Sequence, residues 1–358
     1  MSRRADTGGT AHEGASALFS RLLRAIIRAS RFISHARRDT DVNEATLVAF
    51  IASPVYKLFS GGLRMIQEDI QLRSIVEADR SRIMEISSQI WDGGDWVPEE
   101  IDAWLQDKSG EAVAAVLDGR IIGFARRTWL CPGHAWFEGL RTDPAYAGRG
   151  AAREMTRHLI DSARHAGAKK IHLSTHIGNK ASIHIIESYG FTRIAGFVLL
   201  ERTIEDRIPS QSSAAIESVS EEAAVRFVDR SIFLELAQRR FPRGWRFFPF
   251  DVDPPTAIAR LETRIGIRHN GKLMALACVR QSVDSTGSVT LNFCDGAPEV
   301  MSQLLEEIHR LYSGRTIETM IPKTEHAEAA VMAILQELGY QSWDNSDANV
   351  FVYELALS

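Results

Sequence analysis

Cysteine is scarce in this chain. Only Cys131, Cys278 and Cys294 occur among 358 residues, and no Cys-x-x-Cys pair is present. That argues against a disulfide framework or a zinc finger and fits a reducing, cytoplasmic compartment. No metal is expected. No apolar run reaches the roughly 18–20 residues of a membrane span. An excess of one charge is also lacking, since 42 Lys+Arg face 46 Asp+Glu for a net charge of -4. Residues 1–40 hold eight Arg against Asp6, Glu13 and Asp39, so the remainder is acidic. An acidic body does not form the broad basic surface that phosphate backbones require, and no nucleic-acid partner is expected. What remains is ordinary for a folded protein: 45 % hydrophobic and 25 % charged residues. Composition thus excludes collagen-like and disordered classes, and the length suggests two domains.

Residues 17–36 have the pattern of a cationic amphipathic helix. Phe19, Leu22, Leu23, Ile26, Ile27 and Ile33 share one face, with Arg21, Arg24, Arg28, Arg31 and His35 opposite. Contact with a membrane surface, targeting, packing on the body and extension upstream of the true start all stay open. Met65 stands just before the first convincing strand, so residues 1–64 are read as an N-terminal helical extension.

The body alternates strand and helix signals. Residues 66–77 read as a strand leading into a helix, and helical spacing follows from Ala78 to Ile90. Pro98 opens a second short helix through Leu105. Ala112–Leu117 and Ile121–Arg127 flank Asp118-Gly119, a hairpin signal because a type I′ turn needs positive φ. A strand at Trp136–Thr142 precedes a helix from about Gly150 to Ala166, with Met155, Leu159 and Ala163 on one face. A strand at Lys170–Thr175, a helix at Lys180–Ser188 and a strand at Phe197–Glu201 close the unit. Residues 203–214 read as a linker.

The second half repeats the order. Asn270-Gly271 answers Asp118-Gly119, Gly314 answers Gly167, and Leu338-Gly339-Tyr340 answers Tyr189-Gly190-Phe191. The offsets are all roughly 150 positions, which implies a duplicated α/β unit.

Asp143-Pro-Ala-Tyr-Ala-Gly148-Arg-Gly150-Ala-Ala152 carries the clearest chemistry. It follows a strand and opens a helix. Glycines there turn backbone N–H groups toward an anion, and the helix dipole assists. The spacing matches neither a triphosphatase loop nor Gly-x-Gly-x-x-Gly. The stretch Trp136–Ala152 resembles motif A of the GNAT superfamily of acetyl-CoA-dependent N-acetyltransferases. Asn179-Lys-Ala-Ser182 through Tyr189-Gly190-Phe191 resembles its motif B. The resemblance covers about residues 66–202, and residues 65–202 are read as the catalytic domain. It implies a mixed-sheet GNAT (acyl-CoA N-acyltransferase) fold, here duplicated, with residues 215–358 as a degenerate second copy.

The resemblance also implies that acetyl-CoA lies where strands four and five splay. Its pantetheine arm would pair with Leu140 and Thr142. Its pyrophosphate would sit on Ala147, Gly148, Arg149, Gly150, Ala151 and Ala152, with Asn179 and Ser182 on the other side. Ala147 departs from the family's usual Arg or Gln. Ile186 stands where the family often has a general-acid Tyr, and Tyr189 is displaced by three positions. Glu138 is the candidate base, with binding of the substrate amine alone or pairing with Arg141 or another basic residue as the alternatives; His172 and His176 are weaker candidates.

Between Trp91 and Trp104 lie five carboxylates and three tryptophans. Asp95, Trp96 and Trp91 are therefore candidates to hold a cationic acceptor. This stretch also resembles the histidine N-acetyltransferase-like subgroup. The leading expectation is acetyl transfer to a small amine or amino acid. A protein or peptide N-acetyltransferase and a non-catalytic acyl-CoA sensor stay open. After Val289–Phe293 the second half has Cys294-Asp-Gly-Ala-Pro-Glu299, where one glycine and two acids make no cradle. That half is expected to be structural, to complete the acceptor pocket or to form a homodimer. The aromatic stretch Phe241–Phe250 reads as an interdomain packing loop.

Overall fold

In the computed structural model, residues 69–205, 215–258, 263–281, 287–324, 329–342 and 348–357 are described. The amphipathic segment 17–36, the whole 1–64 extension and most of the linker lie outside them.

The first half runs β1 (Gln71–Ser74), α1 (Arg80–Ser87), α2 (Val97–Gln106), β2 (Glu111–Leu117), β3 (Arg120–Cys131) and β4 (His134–Thr142). It continues through α3 (Ala151–His165), β5 (Lys170–His176), α4 (Lys180–Ser188) and β6 (Thr192–Thr203). The second half runs β7 (Glu217–Ser218), α5 (Glu221–Asp229), α6 (Ile232–Leu236), β8 (Arg240–Arg243), β9 (Arg246–Pro249) and α7 (Pro254–Ala257). Then come β10 (Thr263–His269), β11 (Lys272–Gln281), β12 (Val289–Gly296), α8 (Pro298–Leu311), β13 (Thr316–Pro322), α9 (Val331–Glu337), β14 (Gln341–Ser342) and β15 (Val350–Ala356).

The two halves share a pairing scheme. β2–β3 and β3–β4 are antiparallel and β4–β5 is parallel. β10–β11 and β11–β12 are antiparallel and β12–β13 is parallel. The turns that start each scheme match as well. Asp118 and Gly119 have φ of 50° and 77°, and Asn270 and Gly271 have 51° and 78°, as a type I′ hairpin demands.

The closing strands are exchanged. β6, the last strand of the first half, pairs antiparallel with β13 of the second. β15, the last strand of the chain, pairs antiparallel with β5 of the first half and also with β6. One mixed sheet therefore runs β1-β2-β3-β4-β5-β15-β6-β13-β12-β11-β10-β7. Each half's sheet is completed by a strand from the other. The core is shared in the same way: Leu130 and Trp136 pack in the same cluster as Phe241, Phe247 and Phe293.

α3 buries Ala151, Met155, Leu159 and Ala163 against the sheet, the face its 3.6-residue period marks. α1 and α2 cover the β2–β3 end with Ile83, Ile86, Ile101 and Trp104. β4 carries a bulge. Arg126 faces Glu138 and Phe124 faces Arg141, so Gly139 and Leu140 oppose the single residue between. Gly139 takes φ +65°, and a Cβ there would lie 2.1 Å from Cη2 of Trp104. Only glycine lets the bulge rest on that indole.

Candidate active site

The cradle is built at the end of β4. The Asp143 carboxylate accepts from the Ala145 N–H at 2.8 Å and caps a short 3-10 turn, Pro144–Tyr146. Arg82 of α1 also bonds the Asp143 carboxylate and donates to the Ile121 carbonyl at 3.0 Å. The loop then passes Gly148 (φ +80°) and Gly150 (φ +93°), and α3 begins. A Cβ on either glycine would meet no protein atom within 4 Å. The space above them is open, and their left-handed backbone keeps it so.

Not every expected donor faces that space. The Ala147 and Arg149 N–H groups turn inward to the Pro144 and Tyr146 carbonyls, at 3.3 and 3.5 Å. In this geometry the 3-10 turn uses the Ala147 N–H and the turn after it uses that of Arg149, so neither is a cradle donor as it stands. The N–H groups of Ala151 and Ala152 lie in the first turn of α3, where no intrahelical acceptor exists. Among the described residues, no acceptor is bonded to the Gly148 or Gly150 N–H. A phosphate fits four such donors at a helix N-terminus.

Beside the cradle the sheet opens. β4 and β5 pair only from His134↔Lys170 to Trp136↔His172 and then separate. Leu140 and Thr142 thus lie on the part of β4 that has left β5. Asn179 is the N-cap of α4, its Oδ1 accepting from the Ser182 N–H at 3.3 Å. Ile186 is buried at 2 % exposure, and the Tyr189 hydroxyl donates to the Arg153 carbonyl at 3.0 Å.

Glu138 is not solitary. Arg126 Nη1 donates to its Oε1 at 3.0 Å. Arg246, from β9 of the second half, donates Nε to Oε2 at 2.8 Å and Nη2 to Oε1 at 2.9 Å. Arg126 also holds Asp107 at 2.6 Å and lies 5.5 Å from the Trp104 ring centroid. Charges therefore alternate Asp107, Arg126, Glu138, Arg246. Burial works against the Asp107 carboxylate, but Ser109 and Arg126 bind it and its pKa falls well below the usual range.

Asp95 of the acidic-aromatic loop is spent on the protein itself. Asp95 is buried, and its two oxygens accept from Arg141 Nη2 at 2.8 Å and Nε at 3.2 Å. The Arg141 guanidinium lies 4.4 Å from the Trp91 ring centroid and 5.9 Å from that of Trp96. The expectation that Asp95, Trp91 and Trp96 face a cationic acceptor is corrected here: the cation they hold is Arg141. Trp91 alone keeps a large exposed surface, at 59 %.

His172 is fully buried, its Nε2 2.9 Å from His134 Nδ1 and its Nδ1 3.6 Å from Glu354. Desolvation, and then Arg240, His134 and Lys170, push its pKa down to about 2. Such an imidazole stays neutral. His176 accepts the Gly178 N–H at 3.0 Å.

A family model, "Acetyltransferase (GNAT) family", matches residues 80–191, which hold the cradle, the splay and Glu138. Those residues form a GNAT domain. N-alpha-acetyltransferase RimI of Mycobacterium tuberculosis is 29 % identical over 131 residues, 36 % of this chain and 81 % of that protein. Histidine N-acetyltransferase of Xenopus tropicalis is 33 % identical over 90 residues, 25 % of this chain and only 28 % of that protein. The crystal structure of a GCN5-related N-acetyltransferase from Sphaerobacter thermophilus shares the fold at TM-score 0.56 and 13 % identity. It is covered over 95 % of its length by 80 % of this chain. A putative acetyltransferase from Pyrococcus horikoshii gives TM-score 0.53 and 14 % identity, over 81 % of this chain and 90 % of that one.

The second half repeats the strand pairing of the first but not the cradle. β12 and β13 pair from Val289↔Ile317 to Leu291↔Thr319 and then separate. The β8–β9 hairpin lies against that opening, its Gly244 N–H bonded to Asn292 Oδ1 at 2.9 Å. Gly296 is packed, with a would-be Cβ 2.4 Å from the Met274 carbonyl. The Asp295 carboxylate caps nearby N–H groups, Gly296 at 2.8 Å and Phe233 at 3.2 Å. Among the described residues no cluster of His, Cys, Asp and Glu could hold a metal, and no helix is long and apolar enough to cross a membrane. Sequence reasoning missed Arg126 and Arg246, and Arg141, which it set beside Glu138, pairs with Asp95 instead. Arg246 stands 108 positions from Glu138, and no local spacing links them.

Proposed function

We propose that this protein is an acetyl-CoA-dependent N-acetyltransferase acting on a small amine, with a free amino acid as the preferred class. In this reading residues 65–202 carry the reaction. Residues 215–358 complete the acceptor side, and the β8–β9 hairpin lies against their own opening. The observation that carries it is one juxtaposition: an open two-glycine cradle at the α3 N-terminus, directly beside a splayed strand that bears a carboxylate.

Acetyl-CoA supplies the acyl group as a thioester. The N–H groups of Gly148, Gly150, Ala151 and Ala152 would hold its pyrophosphate, and Leu140 and Thr142 would pair with the arm. The amine forms a C–N bond as the C–S bond breaks, losing one proton while the thiolate gains one. Glu138 is assigned the proton from the amine, through water. Three donors already bind its two oxygens, which fixes its position and limits it to accepting at the remaining lone pair. Ile186 offers no acid, so the thiolate is assigned its proton from water.

The similarity to RimI favours a second reading, in which the amine is a protein N-terminus. One experiment separates these. Thiol release from acetyl-CoA is followed with amino acids, polyamines and peptides as acceptors. Release with free amino acids and not with peptides supports the proposal. Release with peptides alone favours the second reading. Calorimetric binding of acetyl-CoA without release from any acceptor leaves a sensor. Gly150→Glu tests the cradle: its side chain enters the open space with a charge that repels phosphate. Acetyl-CoA binding should fall at least a hundredfold, and unchanged affinity would place the cradle elsewhere.

A further inference from the structure

The β8–β9 hairpin belongs to the second half in sequence, yet its tip works on the first-half site. The Trp245 carbonyl accepts from Ser174 Oγ of β5 at 2.7 Å. The next residue, Arg246, holds Glu138 of β4 through two bonds of 2.8 and 2.9 Å. One dipeptide thus bridges the two strands that part to make the opening.

Exposure differs sharply along the charge chain. The Glu138 and Arg126 side chains are 6 % exposed, whereas Arg246 is 37 % exposed. Arg246 is therefore the member that a ligand entering the opening meets. Its Nε and Nη2 bond Glu138, and Nη1 makes no hydrogen bond among the described residues. The Nη1–Nη2 edge keeps donors in the fork that matches a carboxylate. The carboxylates of Glu138, Glu100 and Asp107 act on the Arg246 charge, so a ligand bearing both a cation and a carboxylate meets both signs there.

We infer that Arg246 selects an acceptor bearing a carboxylate beside its amine, so that the second half of the chain sets the substrate class as free α-amino acids. The inference rests on the transfer reading given above and adds the residue that enforces it. With the carboxylate on Arg246, the adjacent amine falls next to Glu138, the one acid that Arg246 itself positions. Arg246 is a specificity residue, and of the two guanidiniums bound to Glu138 it is the more exposed.

The test uses the full chain and the twenty L-amino acids, each against its carboxamide, which keeps the amine and removes the negative charge. Binding is read by calorimetry and transfer by thiol release. The wild type should prefer at least one acid over its amide by about 10–100-fold, the worth of a charge-assisted pair. Arg246→Gln should bring that ratio close to one, with the change in acceptor KM. Arg246→Lys should retain part of it, because charge remains while the fork is lost. If Arg246 only braces the hairpin, acid and amide weaken together and the ratio stays, which overturns the inference. A wild type that binds no amino acid better than its amide overturns it as well. The two claims fail separately. Acid-selective binding without thiol release sinks transfer and keeps Arg246. Equal transfer to acid and amide keeps transfer and sinks Arg246.

Discussion

Asp95→Asn should damage stability far more than it changes the acceptor KM. The Asp95 side chain is 0 % exposed and that of Arg141 10 %. The carboxylate takes two guanidinium bonds, at 2.8 and 3.2 Å, and a longer one from the Val97 N–H at 3.4 Å. Asparagine keeps one acceptor oxygen and turns an NH₂ toward a group that can only donate. It also leaves Arg141 without its counter-ion. Removing one partner of a buried pair costs about 3–5 kcal/mol. Arg141 retains two tryptophan faces and the Leu140 carbonyl at 3.3 Å, which offset part of the loss. The net expectation is about 2–4 kcal/mol. Urea unfolding followed by tryptophan fluorescence and by far-ultraviolet circular dichroism measures it. A double-mutant cycle with Arg141→Met isolates the pair, since Met lacks charge and keeps much of the volume. An Asp95→Asn variant that unfolds within about 0.5 kcal/mol of the wild type, the scale of an ordinary surface change, would refute a stabilising role for the pair. A several-fold rise in amine KM at unchanged stability would then return Asp95 to the acceptor.

Gly139→Ala should cost about 2–5 kcal/mol, combining left-handed strain with overpacking against Trp104; a loss below about 1 kcal/mol in chemical denaturation would show that the bulge yields cheaply. Glu138→Gln should lower kcat by about 10²-fold or more with acetyl-CoA affinity held, and near-wild-type turnover at every pH from 6 to 9 would remove Glu138 as the proton acceptor. His172 adds a pH dependence. Its folded pKa of about 2 lies below the ordinary value of 6.5, so the unfolded chain takes up the proton first as pH falls. Stability from this group is complete above pH 6.5 and declines below it, by up to about 1.4 kcal/mol per pH unit. Unfolding free energies between pH 7 and 5 should therefore fall less steeply in His172→Gln than in the wild type, and parallel slopes would refute the assignment.

Some of this protein was decided by short stretches of sequence. Asp118-Gly119 and Asn270-Gly271 are type I′ turns because two adjacent residues there tolerate positive φ. Gly148 and Gly150 open the cradle for the same reason, and Met155, Leu159 and Ala163 mark the buried face of α3 by spacing alone. Backbone torsions and helical periodicity are set by near neighbours, so a linear reading reaches them. The charges behaved differently. Asp95 meets Arg141 across 46 positions, and Glu138 meets Arg246 across 108. A carboxylate has no period and no turn type, and it takes whichever cation the topology brings within about 3 Å once water is excluded. That topology was itself a tertiary decision. The exchange of β6 and β15 between the halves, and the hairpin of one half reaching the splay of the other, arise from the pairing of distant strands, and they fix which charges lie in the opening.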